Sequence, residues 1–346
     1  MRALEITGVR TVEWREAPDA ALEGDGEAVV RPLAVAMCDL DSAFLTGKVP
    51  VGEPFPLGHE CVGEVVEVGD AVTSVRPGDR VVVPFQISCG ACAACRRGHT
   101  GSCLTVPRGS AYGMKPLGGD WGGALADRVR VPFADAMLVP LPERAEPAAV
   151  ASVADNVPDG YRAVAAPLAA DPAAEVLVVG GFARSVGLYA VASALGLGAP
   201  RVVYADSEDG RLAQAAGLGA EPMPVPAGAG GEPDWPRKLG RFGVVVDASG
   251  DHGGLHAAIR SVTANGTCTS VAIYFEQETP LPLLEMYTRG CTLHASRVHA
   301  RAVIPDVLRL VEDGRLEPER ITSAVVSFDD APDALADPPT KLVLTP

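Results

Sequence analysis

Four closely spaced cysteines constrain the fold of this chain more than any other feature. Cys89, Cys92 and Cys95 are separated by two-residue gaps, and seven residues then precede Cys103. Such gaps let thiolates from one tight loop converge on a single ion, and a fourth thiolate completes a tetrahedron. In a reducing compartment the alternative is a set of exposed, oxidisable thiols. The spacing therefore predicts a structural zinc site that holds a loop in shape and takes no part in chemistry.

Length and charge bound the remaining possibilities. The chain has 346 residues, more than one hydrophobic core usually holds, so about two domains are expected. Its formal net charge of −15 would repel nucleic-acid phosphates and anionic lipid, so neither is expected as a partner. Residues 1–6 resemble a strand rather than the apolar centre of a signal peptide, and no later apolar run is long enough to span a bilayer. A cytoplasmic location is expected.

Cys38 and His59 predict a second metal site. Residues 33–37 end a strand at Cys38 and residues 39–45 can begin a short helix, a junction that commonly displays functional side chains. His59 lies within Gly-His-Glu at residues 58–60. A catalytic zinc usually takes three protein ligands and leaves one position open, so an acid further along the chain would complete the set. Each residue taken singly has an ordinary alternative, a hydrogen-bonded histidine and a small buried cysteine.

A buried strand followed by glycines predicts a dinucleotide-binding unit. Residues 176–179 are continuously apolar, as in a parallel sheet covered on both faces. The glycines that follow depart from the usual G-x-G-x-x-G spacing, but a helix over 185–197 follows them, and an acid, Asp206, lies nineteen residues beyond Gly187. A carboxylate there would accept hydrogen bonds from the ribose of NAD and repel the 2′-phosphate of NADP, although a helix cap is the alternative. The residues predicted to bind the cofactor here are Gly180, Gly181, Ser185, Val186, Gly187, Asp206 and Arg211.

Together these motifs resemble one family, the zinc-containing medium-chain alcohol dehydrogenases. The resemblance is carried by Cys-Asp-Leu-Asp at 38–41, Gly-His-Glu at 58–60, the four-cysteine run and Val-Leu-Val-Val-Gly-Gly at 176–181, and it extends to residues 341–343. It implies an α/β fold, with an antiparallel barrel-like (GroES-like) catalytic domain and a doubly wound Rossmann domain. The catalytic domain is expected over 1–153 and 300–346, and the Rossmann domain over 154–299. A glycine-rich surface linker is expected at 227–233.

The resemblance also assigns roles to residues. The third ligand of the catalytic zinc is Cys, Asp or Glu at the point where Asp155 stands, so Asp155 is the predicted ligand; its alternative is a cap for a helix beginning near Pro158. Glu60 is expected to lie beside the zinc ligands as an acid that can tune a ligand or transiently replace one. Lys341 takes the place of a basic residue that pairs with Asp41 and lies near the cofactor pyrophosphate, the alternative being a surface lysine. Cysteines without metal spacing are expected to be buried core thiols: Cys61, Cys268 and Cys291.

The activity that the resemblance implies is that of an NAD-dependent zinc alcohol dehydrogenase with two zinc ions per chain, active between its domains. Zinc would lower the pKa of the substrate hydroxyl, so that hydride can pass to the nicotinamide. The expected partners are a small alcohol or aldehyde and further copies in a homodimer or homotetramer. Two alternatives stay open. Asp-x-x-Pro-x-Gly-Tyr at 155–161 resembles the branch of aldehyde-processing formaldehyde dehydrogenases and dismutases, and a silent nucleotide-binding member is the other. Leu40 stands where the family usually places a proton-relaying Ser or Thr.

Overall fold

The computed structural model describes residues 1–228 and 230–346. The strands of these residues are, in chain order, β1 (Arg2–Gly8), β2 (Thr11–Glu16), β3 (Ala28–Ala36), β4 (Phe55–Pro56), β5 (Glu60–Val68), β6 (Arg80–Val83), β7 (Val129–Val131), β8 (Val139–Pro140), β9 (Val176–Val179), β10 (Val202–Asp206), β11 (Glu221–Pro224), β12 (Phe242–Asp247), β13 (Val262–Ser270), β14 (Thr292–Ala295), β15 (Ala324–Ser327) and β16 (Leu342–Thr345).

The α-helices of the described residues are α1 (Asp39–Leu45), α2 (Ala134–Met137), α3 (Pro147–Val150), α4 (Asn156–Ala170), α5 (Arg184–Gly196), α6 (Asp209–Leu218), α7 (His252–Arg260), α8 (Leu283–Arg289), α9 (Ala300–Glu312) and α10 (Ala331–Ala336). Local sequence explains several of them. The carboxylate of Asp251 caps α7 by accepting from the Gly254 N–H at 3.0 Å. In α9, Ile304, Val307 and Leu308 recur at helical spacing and are buried, which gives this helix its core-facing side.

The chain folds into two compact units, one of which carries the antiparallel sheets. It comprises Met1–Pro158, Val298–Glu312 and Thr322–Pro346. One of its sheets has the order β2-β1-β4, and the other has the order β15-β16-β3-β5-β6-β8, with β7 also pairing with β3. Leucines from distant segments, such as Leu4, Leu57 and Leu125, are fully buried in its core. Each such side chain contributes about 1.5–3 kcal/mol to stability by leaving water.

The other unit is built on a parallel sheet and comprises Asp159–Arg297 and Asp313–Ile321. Its strand order is β11-β10-β9-β12-β13-β14, and neighbouring strands within it pair in parallel. The strand order reverses between β9 and β12, which is the doubly wound arrangement. The valines of the central strand β9 are completely buried, as its uninterrupted apolar sequence predicts. The predicted fold class, with one antiparallel and one doubly wound part, is confirmed.

The structure refines several sequence predictions. Residues 313–321 belong to the unit with the parallel sheet, whereas the prediction put all of 300–346 with the first domain. Arg320 donates to the Gly217 carbonyl at 2.6 Å, a hydrogen bond that helps to hold this segment there. Cys61 and Cys268 are buried, as predicted, whereas Cys291, just before the edge strand β14, is partly buried and packs against the core from its margin.

Two further predictions concern single segments. The predicted linker at 227–233 includes Ala229, which lies outside the described residues; beside it, Ala227 and Pro233 form an isolated antiparallel bridge. Helix α4 begins at Asn156 rather than near Pro158. Among the described residues, no helix is both long and apolar enough to cross a bilayer.

Candidate active site

Strand register brings Cys38 and His59 together. In the antiparallel pair β3–β5, Ala36 lies opposite Glu60, so the residue two beyond the end of β3 is close to the residue just before β5. Asp155 lies immediately before α4 in the same compact unit. Ligand atoms of Cys38, His59, Glu60 and Asp155 all lie within 4.8 Å of one another. The two ligands predicted from the residues and the third predicted from the resemblance therefore converge in one place.

The His59 ring is completely buried and lacks hydrogen bonds. Its Nδ1 is 3.3 Å from Asp41 Oδ1 and its Nε2 is 3.4 Å from Asp155 Oδ2. Neither nitrogen, nor Asp41 Oδ1, has a hydrogen-bond partner. Burial alone would lower the pKa of His59, but the carboxylates of Asp41 and Asp155 outweigh it and raise that pKa. A buried imidazole without partners is costly, and a cation beside Nε2 would satisfy it. The arrangement therefore favours a metal ligand over an ordinary hydrogen-bonded histidine.

The donor set fits zinc. One thiolate, one imidazole and one carboxylate are a ligand combination that catalytic zinc accepts, and the orphaned His59 nitrogen faces the other two donors. Asp41 also accepts a hydrogen bond from the Cys38 N–H at 2.9 Å, which ties the start of α1 to the histidine's other side. A carboxylate behind a histidine ligand orients the ring and raises its basicity.

The Lys341 ammonium forms an ion pair with Glu60, whereas the resemblance predicted a pair with Asp41. Lys341 is completely buried, so it is not a surface lysine either, and its ammonium donates to both oxygens of Glu60 at 2.7 and 2.9 Å. Asp41 instead lies against His59. Strand pairing accounts for the contact between Lys341 and Glu60. Strand β3 lies between β16 and β5, and its Ala36 pairs with Val343 of β16 on one side and with Glu60 of β5 on the other. Lys341, two residues before Val343, is therefore close enough for its long side chain to reach Glu60.

Lys341 also determines what Glu60 can do. Burial raises the pKa of Glu60 to about 7, against the opposing effect of the Lys341 charge. Both carboxylate oxygens already accept from the ammonium, which also donates to the Met37 carbonyl at 2.9 Å. This arrangement leaves Glu60 next to the ligand set with its charge neutralised.

Asn156, which was not predicted from the sequence, links Cys38, Asp155 and Lys341. Its side-chain N–H donates to Cys38 Sγ at 3.2 Å and to Asp155 Oδ2 at 2.9 Å. Its oxygen accepts from Lys341 at 2.8 Å. Asn156 is 1% exposed, and an amide adjacent in sequence to a predicted ligand was the available signal. Leu40 is partly buried against the core of this unit and offers no hydroxyl.

The four clustered cysteines form the other ligand set. Their sulfurs lie within 4.8 Å of one another, and those of Cys92 and Cys103 are 4.0 Å apart. A tetrahedral zinc with metal–sulfur distances of about 2.3 Å needs sulfurs about 3.8 Å apart, so the set fits. Backbone N–H groups of Leu104 and Cys95 donate to Cys92 Sγ and lower its pKa to about 6. Such donors stabilise thiolates, the form that binds metal.

The predicted cofactor loop follows β9, and its glycines are required by close contacts. A Cβ on Gly180 would collide with Asp206 and Tyr204, and one on Gly181 would collide with the Ser249 carbonyl. Ala248 lies against Gly187. The Phe182 and Ala183 N–H groups are bonded to the carbonyls of Ser249 and Ala248, so they are not donors for a phosphate. Ser185 and Val186 lie in the first turn of α5, which begins at Arg184.

Asp206 lies at the end of β10 and is fully engaged. Arg211 forms a two-pronged ion pair with it, at 2.7 Å to each oxygen. The Tyr204 hydroxyl donates at 2.8 Å and the Glu208 N–H at 3.0 Å. These four donors use the lone pairs of the carboxylate. Arg211 was predicted to contact the cofactor, and in the structure its partner is Asp206. A ribose that binds Asp206 would have to displace the guanidinium of Arg211 from this carboxylate.

Comparison with known proteins identifies the family. Residues 24–143 match the alcohol dehydrogenase GroES-like domain, and residues 185–313 match the zinc-binding dehydrogenases. A probable zinc-binding alcohol dehydrogenase of Mycobacterium tuberculosis is 33% identical over 333 residues, covering 96% of this chain and 83% of that protein. The chain belongs to the zinc-containing medium-chain alcohol dehydrogenase family.

Further relatives extend the comparison within the alcohol dehydrogenase family. An alcohol dehydrogenase from Thermus sp. ATN1 superposes with a TM-score of 0.86 at 31% identity, covering 100% of this chain and 99% of that one. A glutathione-independent formaldehyde dehydrogenase of Pseudomonas aeruginosa is 39% identical over 206 residues, 57% of this chain and 50% of that protein. The predicted membership is confirmed, and the chain is a zinc-type oxidoreductase whose cofactors are zinc and a nicotinamide dinucleotide.

Proposed function

We propose that this protein oxidises an alcohol, or reduces the corresponding carbonyl compound, with NAD as hydride acceptor or donor. The observation that carries the proposal is the convergence of Cys38, His59 and Asp155, in which a buried histidine nitrogen without a hydrogen bond faces the Cys38 sulfur and the Asp155 carboxylate. These three residues would hold the catalytic zinc. When bound, zinc supplies a Lewis acid that lowers the pKa of a substrate hydroxyl.

The chain's own groups prepare the site for that chemistry. Asp41 holds the His59 ring from behind, and Asn156 holds the side chains of Cys38 and Asp155 in one arrangement. Lys341 neutralises Glu60 and keeps this carboxylate from adding a further negative charge to the ligand set. A ligand set with fewer negative charges leaves the site more electropositive, which favours deprotonation of the hydroxyl. The intact set argues against a silent member.

The test of this function is a screen with metal analysis. Protein purified without added metal is analysed for zinc and assayed with alcohols, polyols and aldehydes, following NADH and NADPH absorbance. Two zinc ions per chain and NAD-dependent turnover of an alcohol are expected. One zinc or none would overturn the two-site assignment, and turnover without reduction of either dinucleotide would overturn the proposed reaction.

Cofactor preference is expected to depend on Asp206 and Arg211 in opposite ways. Asp206→Ser should weaken NAD and improve NADP, because the released guanidinium of Arg211 can then meet a 2′-phosphate. Arg211→Ala should sharpen the preference for NAD. Loss of charge-assisted hydrogen bonds corresponds to about 1.5–3 kcal/mol, roughly tenfold to a hundredfold in Kd. Titration of both dinucleotides measures it.

Glu208→Ala is the matched control for the Asp206 variant. Glu208 is exposed, its side chain makes no capping bond, and it is the backbone N–H of this residue that donates to Asp206. The control removes a negative charge near Arg211 without freeing its guanidinium from Asp206, so it should change the ratio of the two Kd values much less than Asp206→Ser does. Tighter binding of NADP than NAD by the unaltered protein would mean that Asp206 does not receive the ribose.

Because Leu40 offers no hydroxyl to relay a proton, oxidation of simple alcohols is expected to be slow. The same residue is the observation that favours a second candidate function, aldehyde processing. Without a hydroxyl at this position, the substrate proton must leave through water or a nearby acid. General acid–base help contributes about 100- to 10,000-fold, so Leu40→Thr is expected to raise kcat at neutral pH and to flatten its rise with pH. Leu40→Val, which has the shape of threonine without its hydroxyl, is the control. A pH-flat unaltered enzyme that both variants leave unchanged would contradict this interpretation.

A homodimer or homotetramer is proposed through the edge of the parallel sheet. β14 is the last strand in that sheet, and most of its side chains are exposed. Beside it in sequence, α8 exposes Leu283, Leu284 and Tyr287, at 65%, 76% and 85%. An unpaired edge next to an apolar patch suits a two-fold contact with a second copy. Sedimentation should show a dimer or tetramer that Leu284→Glu dissociates and that Val9→Glu, at an exposed position of the other unit, does not. A monomeric unaltered chain would refute it.

A further inference from the structure

A small basic cavity lies at the amino-terminal edge of the parallel sheet. Its volume is about 140 Å³, and it is lined by residues that precede β12, by the last residue of α7 and by one side of α8. A cavity needs about 10–15 Å³ to hold one water molecule, so this one has room for roughly ten waters or for a small polyanion. Its charged lining consists of five cations and one acid: Arg237, Lys238, Arg241, Arg260, Arg289 and Glu285.

Glu285 cannot balance this positive charge. It lies 2.9 Å from Arg260, 3.2 Å from Arg237 and 3.9 Å from Arg289. The hydrogen bond from Arg260, followed by the charges of the three guanidinium groups, lowers the pKa of Glu285, so it stays ionised. The described lining nevertheless carries four excess positive charges on a chain whose net charge is −15. Like charges gathered this closely repel one another unless an anion joins them.

A structural role explains only part of the cluster. Arg241 and Arg289 each donate from one nitrogen to the carbonyls of Arg260 and Val262, which caps the end of α7. The other terminal nitrogen of Arg289, Nη2, is buried and has no hydrogen-bond partner. Glu285 Oε2, 3.9 Å from this nitrogen, is too far away to accept a hydrogen bond from it. A buried guanidinium donor left unsatisfied is costly, and an anion in the cavity would supply the missing acceptor. Arg237 and Lys238 are exposed at its rim and take no part in the cap.

We infer that this cavity is a binding site for a phosphate-bearing polyanion. Guanidinium groups match phosphate oxygens with paired, charge-assisted hydrogen bonds, and several positive charges favour a ligand with two or more negative charges. The site is distinct from the cofactor loop. That loop follows the carboxyl end of β9, whereas Arg241 precedes the amino end of the parallel neighbour strand β12. One dinucleotide cannot reach both edges of the sheet through its pyrophosphate.

The test is calorimetric titration of inorganic pyrophosphate into the zinc-loaded full chain. Saturating NAD occupies the cofactor loop, and sodium chloride keeps the ionic strength constant. One further binding site is expected. Parallel titrations with ATP and a sugar bisphosphate distinguish a nucleotide from a phosphorylated sugar as the source of the phosphate, and citrate binding more tightly than every phosphate compound would overturn the inference.

Two paired variants make the result decisive. Arg237→Ala with Lys238→Ala changes exposed residues only and should weaken pyrophosphate at least tenfold, as the loss of two charged partners implies. The control, Arg76→Ala with Arg309→Ala, removes the same amount of charge from two residues outside the cavity whose side chains are 86% and 70% exposed. It should leave the affinity for pyrophosphate within about twofold of that of the unaltered protein. If the heat signal came from pyrophosphate binding to zinc and not to the cavity, both double variants would show it unchanged. Absence of the additional site, or equal weakening by both variants, would overturn the inference.

Discussion

Replacement of Cys92 by serine is expected to release the structural zinc and to unfold or aggregate the chain. Cys92 Sγ accepts backbone N–H groups from Cys95 and Leu104, and its sulfur lies 4.0 Å from that of Cys103, so the loop is built around the thiolates. A structural zinc supplies about 10–16 kcal/mol of binding free energy in small folded units, which is comparable to the whole stability of a domain. A serine hydroxyl replaces the thiolate poorly as a ligand.

The measurement combines zinc content with thermal unfolding. The Cys92→Ser protein should carry one zinc at most and should unfold at a lower temperature than the unaltered chain or precipitate. Cys291→Ser is the matched control, because Cys291 is half-buried and lies outside both ligand sets. It should retain two zinc ions. A soluble Cys92→Ser protein with two zinc ions and unchanged unfolding would show that the four cysteines do not hold a stabilising metal.

Features encoded over short stretches were predictable from the sequence. The four cysteines lie within one loop, so their spacing alone predicts that the four sulfurs converge on one ion. The continuous apolar run of β9 is enough to indicate a strand covered on both faces. The short helix after Cys38 was predicted with the bounds that the structure has, Asp39–Leu45. In each case the physical cause operates between neighbours in the chain.

Contacts between distant segments were not predictable in this way. Lys341 lies 281 residues from Glu60, and its choice of this acid depends on β16 pairing with β3 while β3 pairs with β5. The resemblance supplied a basic residue at this position but the wrong partner. Asn156 was overlooked because an amide has no metal-ligand spacing, although its burial beside Cys38 and Asp155 makes it the link between them.

Asp206 illustrates the limit of interpreting a charge from its neighbours in sequence. The sequence predicts that Asp206 and Arg211 both contact the cofactor, but it does not predict that they contact each other. One helical turn further on, Arg211 folds back onto Asp206 with two hydrogen bonds at 2.7 Å. A helix starting at Asp209 places its third residue over the strand end from which it came, and that geometry follows only once the helix start is known.

Replacement of His59 by alanine is expected to abolish turnover and leave the fold intact. The substitution removes the nitrogen that faces Asp155 and leaves the Asp41 and Asp155 carboxylates without the imidazole that separates them. The catalytic zinc should then be lost or weakly held, since a thiolate and a carboxylate alone make an incomplete set. Metal Lewis acidity contributes several kcal/mol to the barrier, and ~4 kcal/mol corresponds to about a thousandfold in rate.

Three measurements separate this outcome from simple unfolding. The His59→Ala protein should contain one zinc per chain, retain the circular dichroism of the unaltered protein and show at least a thousandfold lower kcat/KM, by the same ~4 kcal/mol. Asp41→Asn should give an intermediate result, because carboxylates behind a histidine ligand typically contribute 10- to 100-fold to metal affinity. His99→Ala, an exposed histidine in the cysteine loop, is the control and should keep both zinc ions and full turnover. Two zinc ions and unaltered turnover in the His59→Ala protein would place the catalytic metal elsewhere, because His59 is the one histidine of the ligand set formed with Cys38, Glu60 and Asp155.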